Sequence, residues 1–344
     1  MPDLVEFLPA SASRDEWARY HAYRRLRRAE FRPDEPLPPD EVIELRQKRP
    51  DPHQWRRWFH TVDGDVVVGE LEAEGARPES PEYATNSHLL WTEGYVLEAH
   101  RRRGIARSWL PRVLELMDEH GATVVGTWTE DETGHGMLRG LGAAPKLTSR
   151  QSRLDLRQLD WEMVASWVAE AEAGSAGARL ELHTPWVPDD RLDEYCAAMN
   201  ELMNTMPFEG LDHGDIVMSP AGVREWRARM SATGTVNPTC LVRDADGSIV
   251  GMTDTLKHAY EPGLVRQNFT GVHPRARGRG LGRWLKAAML LHLRERYPDT
   301  IWVSTENAGS NEPMLAINHG LGFRLHRTFT VYQADRDTLR RSVE

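Results

Sequence analysis

The segment "VHPRARGRGLGRWL", residues 272–285, joins a strand-like run to a helix and places three glycines and four arginines in one short turn. The apolar run ends at Val272, and apolar residues at helical spacing begin at Leu281. Glycine in such a turn lets backbone N–H groups approach a ligand, because no Cβ atom intervenes. The free N–H groups and the dipole at a helix start favour an anion. The segment therefore predicts an anion site, and a diphosphate is its natural occupant.

The glycine spacing does not match two common phosphate-binding motifs. It is neither GxxxxGK[ST] nor GxGxxG, and no acidic ribose partner follows about twenty residues later. A P-loop and a dinucleotide-binding turn are therefore disfavoured. On this segment alone, a glycine-rich helix start with merely solvated arginines remains an alternative.

The segment has a counterpart in the first half of the chain. "VLEAHRRRGIARSWL" (96–110) aligns with "VHPRARGRGLGRWLK" (272–286), so that Gly104 and Gly280 lie 176 positions apart. At the same offset "TWTED" (127–131) falls on "VSTEN" (303–307). Two long copies of one unit predict a tandem pair of domains, as the 344-residue length also favours.

Each half has the same order of strand-like and helix-like segments. Both contain a hairpin with an Asp-Gly turn, at 63–64 and 246–247, then a strand, the glycine turn, a helix and another strand. This order predicts an α+β fold used twice, each copy a mixed, largely antiparallel sheet flanked by helices. We expect domains at 1–157 and 179–344, joined by a helical segment and linker at 158–178.

Composition excludes several classes of protein. The net charge of −9 argues against a nucleic-acid binder. The sequence has no apolar run long enough for a membrane span and no signal-peptide pattern at its N-terminus, so we expect a cytoplasmic protein without a membrane partner. Only two cysteines occur, and there is no HExxH or CxxC, so neither a disulfide framework nor a metal site is expected.

The paired turns resemble the R/Q-x-x-G-x-G/A motif of the GNAT superfamily of acyl-CoA-dependent N-acyltransferases. The second half carries it as Arg277-x-x-Gly280-x-Gly282 and the first as Arg101-x-x-Gly104-x-Ala106. The resemblance implies that the turn holds the pyrophosphate of acetyl-CoA. The residues it assigns to the coenzyme are Val272, Arg277, Gly278, Arg279, Gly280, Leu281, Gly282, Arg283, Asn307, Asn311 and Asn318, with Val96, Arg101, Arg103, Gly104, Ile105 and Ala106 as a second set.

The sequence departs from the family at two positions. The tyrosine that many relatives place before the glycine of "LGF", as an acid toward the thiolate, is Asn318 here and Leu138 in the first half. The acidic residue often found on the strand before the turn is Phe269 in the second half and Glu93 in the first. The richer glycine turn and its asparagines favour the C-terminal half as catalytic, with the N-terminal half a degenerate copy that still holds coenzyme or walls the substrate pocket.

Three residues of the second half are candidates for the general base. Asp254 and His258 lie four positions apart on a predicted strand, and this even separation places both side chains on one face of it. Glu209 lies in a loop where relatives shape the acceptor site. A solvated surface role is the alternative for each, and a base acting through water is equally compatible.

These observations predict an acetyl-CoA-dependent N-acetyltransferase in which a small-molecule amine attacks the thioester directly. Mycothiol synthases also have a tandem arrangement, so a cysteinyl pseudodisaccharide is one acceptor left open. A non-catalytic acyl-CoA-binding or sensor protein and a protein-lysine acetyltransferase are the alternatives. The sequence predicts neither the acceptor nor the oligomeric state.

Overall fold

The computed structural model describes residues 2–174 and 177–343. The strands are β1 (Asp3–Phe7), β2 (Gln54–Asp63), β3 (Val66–Ala76), β4 (Leu89–Val96), β5 (Val124–Thr129), β6 (Ala144–Asp155), β7 (Arg179–His183), β8 (Thr235–Val236), β9 (Thr239–Arg243), β10 (Ile249–His258), β11 (Leu264–Val272), β12 (Trp302–Ala308) and β13 (Arg324–Asp335). The helices are α1 (Arg14–Phe31), α2 (Asp40–Lys48), α3 (Tyr83–Asn86), α4 (Ile105–Ser108), α5 (Leu110–His120), α6 (Glu132–Gly140), α7 (Trp161–Gly174), α8 (Leu192–Met203), α9 (Pro220–Ala232), α10 (Leu281–Arg296), α11 (Glu312–Leu321) and α12 (Arg336–Val343). Residues 175 and 176 of the predicted linker lie outside the described residues.

Unit 1 comprises Met1–Leu147, Gly210–Asp215 and Phe329–Glu344. Its strands follow the order β1-β2-β3-β4-β5-β13, and only β4 and β5 in this series run parallel. Aromatic residues of α1 form one core cluster with β2 and β3, and α5 forms another with β3, β4 and β5. The predicted α+β fold with a largely antiparallel sheet is confirmed.

Unit 2 comprises Thr148–Glu209 and Ile216–Thr328. Its strands follow the order β6-β12-β11-β10-β9-β7, with β8 paired to β10, and β11 and β12 run parallel. Along β9, Cys240 and Val242 belong to the core cluster with α10, whereas Leu241 belongs to the cluster with α8. This alternation shows that α10 and α8 cover opposite faces of the sheet.

β6, the last strand of the first half of the sequence, belongs to the sheet of unit 2. β13, the last strand of the second half, belongs to the sheet of unit 1. Residues 149–155 of β6 pair with β12 in unit 2, and residues 330–335 of β13 pair with β5 in unit 1. The compact units therefore have different boundaries from the predicted 1–157 and 179–344, which describe the sequence repeat. The difference has a physical reason, because alternation along a strand specifies its faces but not the edge with which it pairs.

The repeat also shifts by three residues after the glycine turns. Leu89 pairs with Val124 in unit 1, and its counterpart Val265 pairs with Val303 in unit 2. Counterparts are therefore 176 positions apart on β4 and β11 but 179 apart on β5 and β12. The predicted match of 127–131 with 303–307 is off by three residues, because the second copy has a longer segment between the turn and the next strand.

Candidate functional site

The turn before α10 has the geometry expected of an anion cradle. Gly278 and Gly280 have φ of 77° and 78°, a left-handed conformation that favours glycine. Gly280 is the residue that precedes the first turn of α10. The Arg277 Nε donates to the carbonyl oxygen of Val272 at 3.1 Å and so closes the loop onto the end of β11. The unpaired N–H groups of the first turn of α10 begin directly after this loop.

Other predicted coenzyme residues near the turn already have contacts within the protein. Arg279 forms two hydrogen bonds to Asp244, at 2.8 and 3.0 Å, which lower the pKa of that carboxyl to about 2. The Arg283 guanidinium lies 5.5 Å from the ring centre of Trp167. Leu281 is buried, and a Cβ on Gly282 would lie 3.1 Å from Ile317 of α11. These contacts give Gly282 and Leu281 packing roles. Arg277 is likewise held within the protein, by Val272 and Thr205, so an anion would depend mainly on the backbone of the turn.

Unit 1 contains a turn of the same shape. The Arg101 Nε donates to the Val96 carbonyl at 3.0 Å, and Gly104 has a φ of 77°. Arg102 stands at the position of Gly278 and has a φ of 62°, which is strained for a residue with a Cβ. Arg103 donates to the carbonyl of Ala99 at 3.0 Å. Ile105 is buried, and Ala106 packs against the core cluster of unit 1. The loop shape is therefore common to both units, but only unit 2 has glycine at both left-handed positions.

A β-bulge distinguishes the strand that leads into the turn of unit 2. Asp254 of β10 pairs with Phe269, and the next residue, Thr255, pairs with Gln267. Asn268 is therefore an extra residue, and Gln267 and Phe269 point to opposite faces of the sheet although they are two positions apart. The pairing between β11 and β12 also ends at Gln267. Sequence reasoning missed this bulge because no glycine marks it.

Asp254 is buried at the bulge and borders a cavity of about 290 Å³. Only 2% of Asp254 is exposed, and its carboxylate accepts hydrogen bonds from Asn237 Nδ2 at 2.8 Å, Asn268 Nδ2 at 3.0 Å and the Phe269 N–H at 2.9 Å. Burial raises its pKa. The cavity is lined by Trp186, Val187, Tyr195, Met199, Met203, Met218, Val223, Trp226, Arg227, Asn237, Asp254, Leu256, Asn268 and Phe269.

The other two predicted base candidates do not line this cavity. His258 lines a separate cavity of about 480 Å³ with Lys257 and Arg296, and its Nδ1 lies 2.8 Å from the hydroxyl of Thr235. Glu209 is exposed and accepts a hydrogen bond from the Ser310 hydroxyl at 2.8 Å. The structure therefore does not bring the three candidates into one site.

A chain of buried polar side chains lies on the α10 face of unit 2. Lys286 is 1% exposed, and its ammonium donates to Gln267 Oε1 at 3.0 Å and Asn318 Oδ1 at 2.7 Å. Asn318 in turn donates to Asn307 Oδ1 at 2.7 Å. Burial lowers the pKa of Lys286 to about 7. Asn311, another predicted coenzyme residue, instead caps α11 by accepting from the Met314 N–H at 3.4 Å.

Apolar residues occupy the counterparts of this polar chain in unit 1. Trp91 and Leu110 lie 176 positions before Gln267 and Lys286, and Leu138 stands in the place of Asn318. The ring of Trp91 packs so closely on Gly126 that a Cβ there would come within 2.4 Å of it. At these three positions unit 1 therefore has apolar side chains where unit 2 has polar ones, close to the point where β11 and β12 stop pairing.

The carboxylates of unit 1 are paired with arginines of the same unit. Glu72 stands at the position of Asp254, since it pairs with Glu93 as Asp254 pairs with Phe269. Arg56 lies 3.1 Å from Glu72, and Arg27 donates to Glu93. Burial raises the pKa of Glu72 to about 8. The corresponding carboxylate of unit 2 has only neutral donors, so the two units differ in charge at the same place.

The described residues contain no cluster of three or more histidine, cysteine, aspartate or glutamate side chains arranged to hold a metal ion. Within the same part of the chain, we find no helix with the length and apolar character needed to span a membrane.

Comparison with known proteins gives concordant similarities. Residues 20–142 match the acetyltransferase (GNAT) family. The chain is 31% identical over 233 residues to a mycothiol acetyltransferase of Clavibacter sepedonicus, and the alignment covers 66% of each chain. It is 27% identical over 278 residues to a mycothiol acetyltransferase of Rhodococcus erythropolis, covering 78% of this chain and 82% of the relative.

One solved structure resembles the fold over almost the whole chain. It is a tandem GNAT protein from the clavulanic acid biosynthesis pathway, with a TM-score of 0.77 and 22% identity. The match covers 98% of this chain and 99% of that one. The likeness extends to both units.

Proposed function

We propose, from the premise that this chain belongs to the acetyltransferase (GNAT) family as a tandem-domain member, that it transfers an acetyl group from acetyl-CoA to the amine of a small molecule. The amine nitrogen attacks the thioester carbonyl carbon and forms the C–N bond. The C–S bond breaks, the sulfur leaves with the electron pair and takes up a proton, and the nitrogen loses one. Such a reaction needs a bound coenzyme, a bound amine and groups that exchange these protons.

The arrangement along β11 carries the proposal. Within one strand, the pairing to β12 ends at Gln267, the bulge follows at Asn268, and the glycine turn begins after Val272. An acetyl-CoA with its pyrophosphate on residues 277–283 would lay its pantetheine arm along the part of β11 that has left β12. The thioester would then reach the bulge, where the cavity with Asp254 opens.

We assign the reaction to unit 2. Its turn has two left-handed glycines, and the carboxylate at the bulge is not neutralised by an arginine. The match to the family, however, falls on residues 20–142 of the N-terminal half. A test of the proposal therefore has to examine both turns.

Acetyl-CoA binding and turnover in two matched variants test the assignment. Gly280→Glu and Gly104→Glu place the same charged side chain at a left-handed position, with φ of 78° and 77°, at the start of the corresponding helix. The negative charge opposes a pyrophosphate at either turn. We expect Gly280→Glu to abolish binding at the productive site and amine-dependent thiol release, and Gly104→Glu to retain most turnover.

The two variants are compared by calorimetric titration of acetyl-CoA and by thiol release with a panel of amines. Equal losses of turnover would contradict the assignment to unit 2, and two binding sites in the unaltered protein would make unit 1 a second coenzyme holder. Because the relatives are named mycothiol acetyltransferases, the panel includes the amine precursor of mycothiol.

A non-catalytic acyl-CoA-binding protein is the second candidate function. The replacement of the family's tyrosine by Asn318 and of the strand acid by Phe269 favours it. The Lys286 ammonium, 2.7 Å from Asn318, favours catalysis because it supplies a buried proton donor beside that position. Saturable acetyl-CoA binding without turnover of any amine would support the non-catalytic candidate.

A further inference from the structure

We infer that the acceptor is a small cationic amine with an apolar, largely flat body, which binds in the Asp254 cavity with its ammonium on the carboxylate. The inference rests on the proposed function and names the substrate class of its site. Charge, lining and position support it independently.

The charge of Asp254 has no opposite charge among its hydrogen-bond partners. Its Oδ2 accepts from Asn237 and Asn268, and its Oδ1 accepts from the Phe269 N–H, so every donor is neutral. A buried carboxylate without a cation is costly, and a bound ammonium would supply the missing charge. Arg227, the one arginine among the described residues that line the cavity, is paired with Asp189.

The lining fits an apolar body better than a polyhydroxylated one. Trp186 and Trp226 meet edge to face, with ring centres 5.5 Å apart, and Tyr195 and Phe269 add further aromatic surface. Aromatic rings attract a cation over their faces, and methionines adapt to irregular apolar shapes. Among the described lining residues, the polar side-chain groups are those of Asn237, Asn268, Asp254 and Arg227, the Tyr195 hydroxyl and the indole N–H groups of Trp186 and Trp226. A sugar in this cavity would lose many hydrogen bonds to water without replacement.

The position of the carboxylate fits the chemistry of transfer. The bulge residues Asn268 and Phe269 line the cavity and lie just after β11 leaves β12. An ammonium on Asp254 would give its proton to the carboxylate and become the free amine that attacks the acetyl carbon. As the C–S bond breaks, the nitrogen loses a second proton and the departing sulfur takes up one. The carboxyl group keeps the first proton and releases it to water after the product leaves.

Steady-state thiol release measures the predicted preference. Acetyl-CoA is assayed with 2-phenylethylamine, with glucosamine and with spermidine, which differ in the body or the charge around the amine. We expect kcat/KM for 2-phenylethylamine to exceed the other two values by at least about tenfold. A preference for glucosamine or spermidine would overturn the inference and leave the proposed function intact.

Two variants separate the role of the charge from that of the apolar wall. Asp254→Asn keeps the size of the side chain, and we expect it to lower kcat/KM for 2-phenylethylamine by about 100-fold or more, in line with loss of a general base. Trp226→Ala should raise KM with a smaller effect on kcat, because it removes part of the apolar lining of the cavity and keeps the carboxylate of Asp254. Asp190→Asn, an exposed acid in the same unit, is the matched control and should stay within about twofold.

Separate measurements distinguish a variant that does not fold from a protein that folds but turns over no amine. The thermal unfolding midpoint of each variant is compared with that of the unaltered protein, and Trp226→Ala keeps the inference testable if Asp254→Asn does not fold. If no amine is turned over while acetyl-CoA binds, the proposed reaction fails. The binding of 2-phenylethylamine is then measured by calorimetry, where a loss of at least about tenfold in Asp254→Asn supports the cation site and no binding overturns it.

Discussion

At the scale of single residues, Lys286 shows what a sequence pattern cannot reveal. Helical spacing of apolar residues from Leu281 predicted which positions of α10 face the core, and Leu285 and Met289 are indeed buried. The same pattern gives no reason to bury a lysine between them. Its partners Gln267 and Asn318 come from a strand and a helix distant in sequence, so the network exists only after folding.

The buried lysine predicts a specific pH dependence of stability. Its pKa is lowered to about 7 in the folded protein, against about 10.4 for an unfolded chain. Between these values the unfolded state binds more protons, so the destabilisation by Lys286 is greatest at and below about pH 7 and falls progressively as the pH rises toward about 10.4. We expect Lys286→Met to raise the free energy of unfolding at pH 7, with a smaller gain at pH 9.5.

Urea unfolding at the two pH values measures this difference, with exposed Lys48→Met as the control. The control should show the same small change at both pH values. A gain for Lys286→Met that is constant with pH would contradict a lowered lysine pKa.

At the scale of elements, the glycine turn was predictable and the bulge was not. The spacing of Gly278 and Gly280 after an apolar run is a local signal, since backbone conformation at those residues limits the choice of side chain. The bulge at Asn268 depends on pairing between β10 and β11, which no local pattern encodes. Of the residues that line the cavity, the sequence therefore indicated a role for Asp254 but not for the residues around it.

The left-handed turn predicts an unusual order among substitutions at Gly278. Its φ is 77°, and a Cβ there would meet nothing within 4 Å, so backbone strain and not crowding sets the cost. Gly278→Ala should lower the free energy of unfolding by about 1–2 kcal/mol. Gly278→Asn should cost less despite its larger side chain, because asparagine tolerates this conformation better.

Thermal or denaturant unfolding of both Gly278 variants gives the comparison. Gly247→Ala, at a left-handed hairpin turn with open space, is a control that should behave as Gly278→Ala does. An asparagine variant less stable than the alanine variant would show that crowding dominates at Gly278.

At the scale of the whole molecule, the sequence repeat predicted two copies but not how their last strands pair. Residues of β13 lie in the core of unit 1, and Leu154 of β6 lies in the core of unit 2. Either edge offers a strand the same row of backbone groups, so the choice depends on the connection and on side-chain fit across the whole sheet. The alternation of side chains within one strand reveals neither the connection nor this fit.

The exchange of final strands predicts that damage to one half of the sequence loosens the other. Ala334 pairs with Val125 of β5, and Leu154 pairs with Val303 of β12. A buried, unpaired aspartate at either position is strongly destabilising. We expect Ala334→Asp to speed hydrogen exchange in β5 much more than in β12, and Leu154→Asp to do the reverse, as measured by mass spectrometry of the full chain. If each strand instead paired within its own half, Ala334→Asp would expose β12 and Leu154→Asp would expose β5, so the two variants distinguish the arrangements in opposite directions.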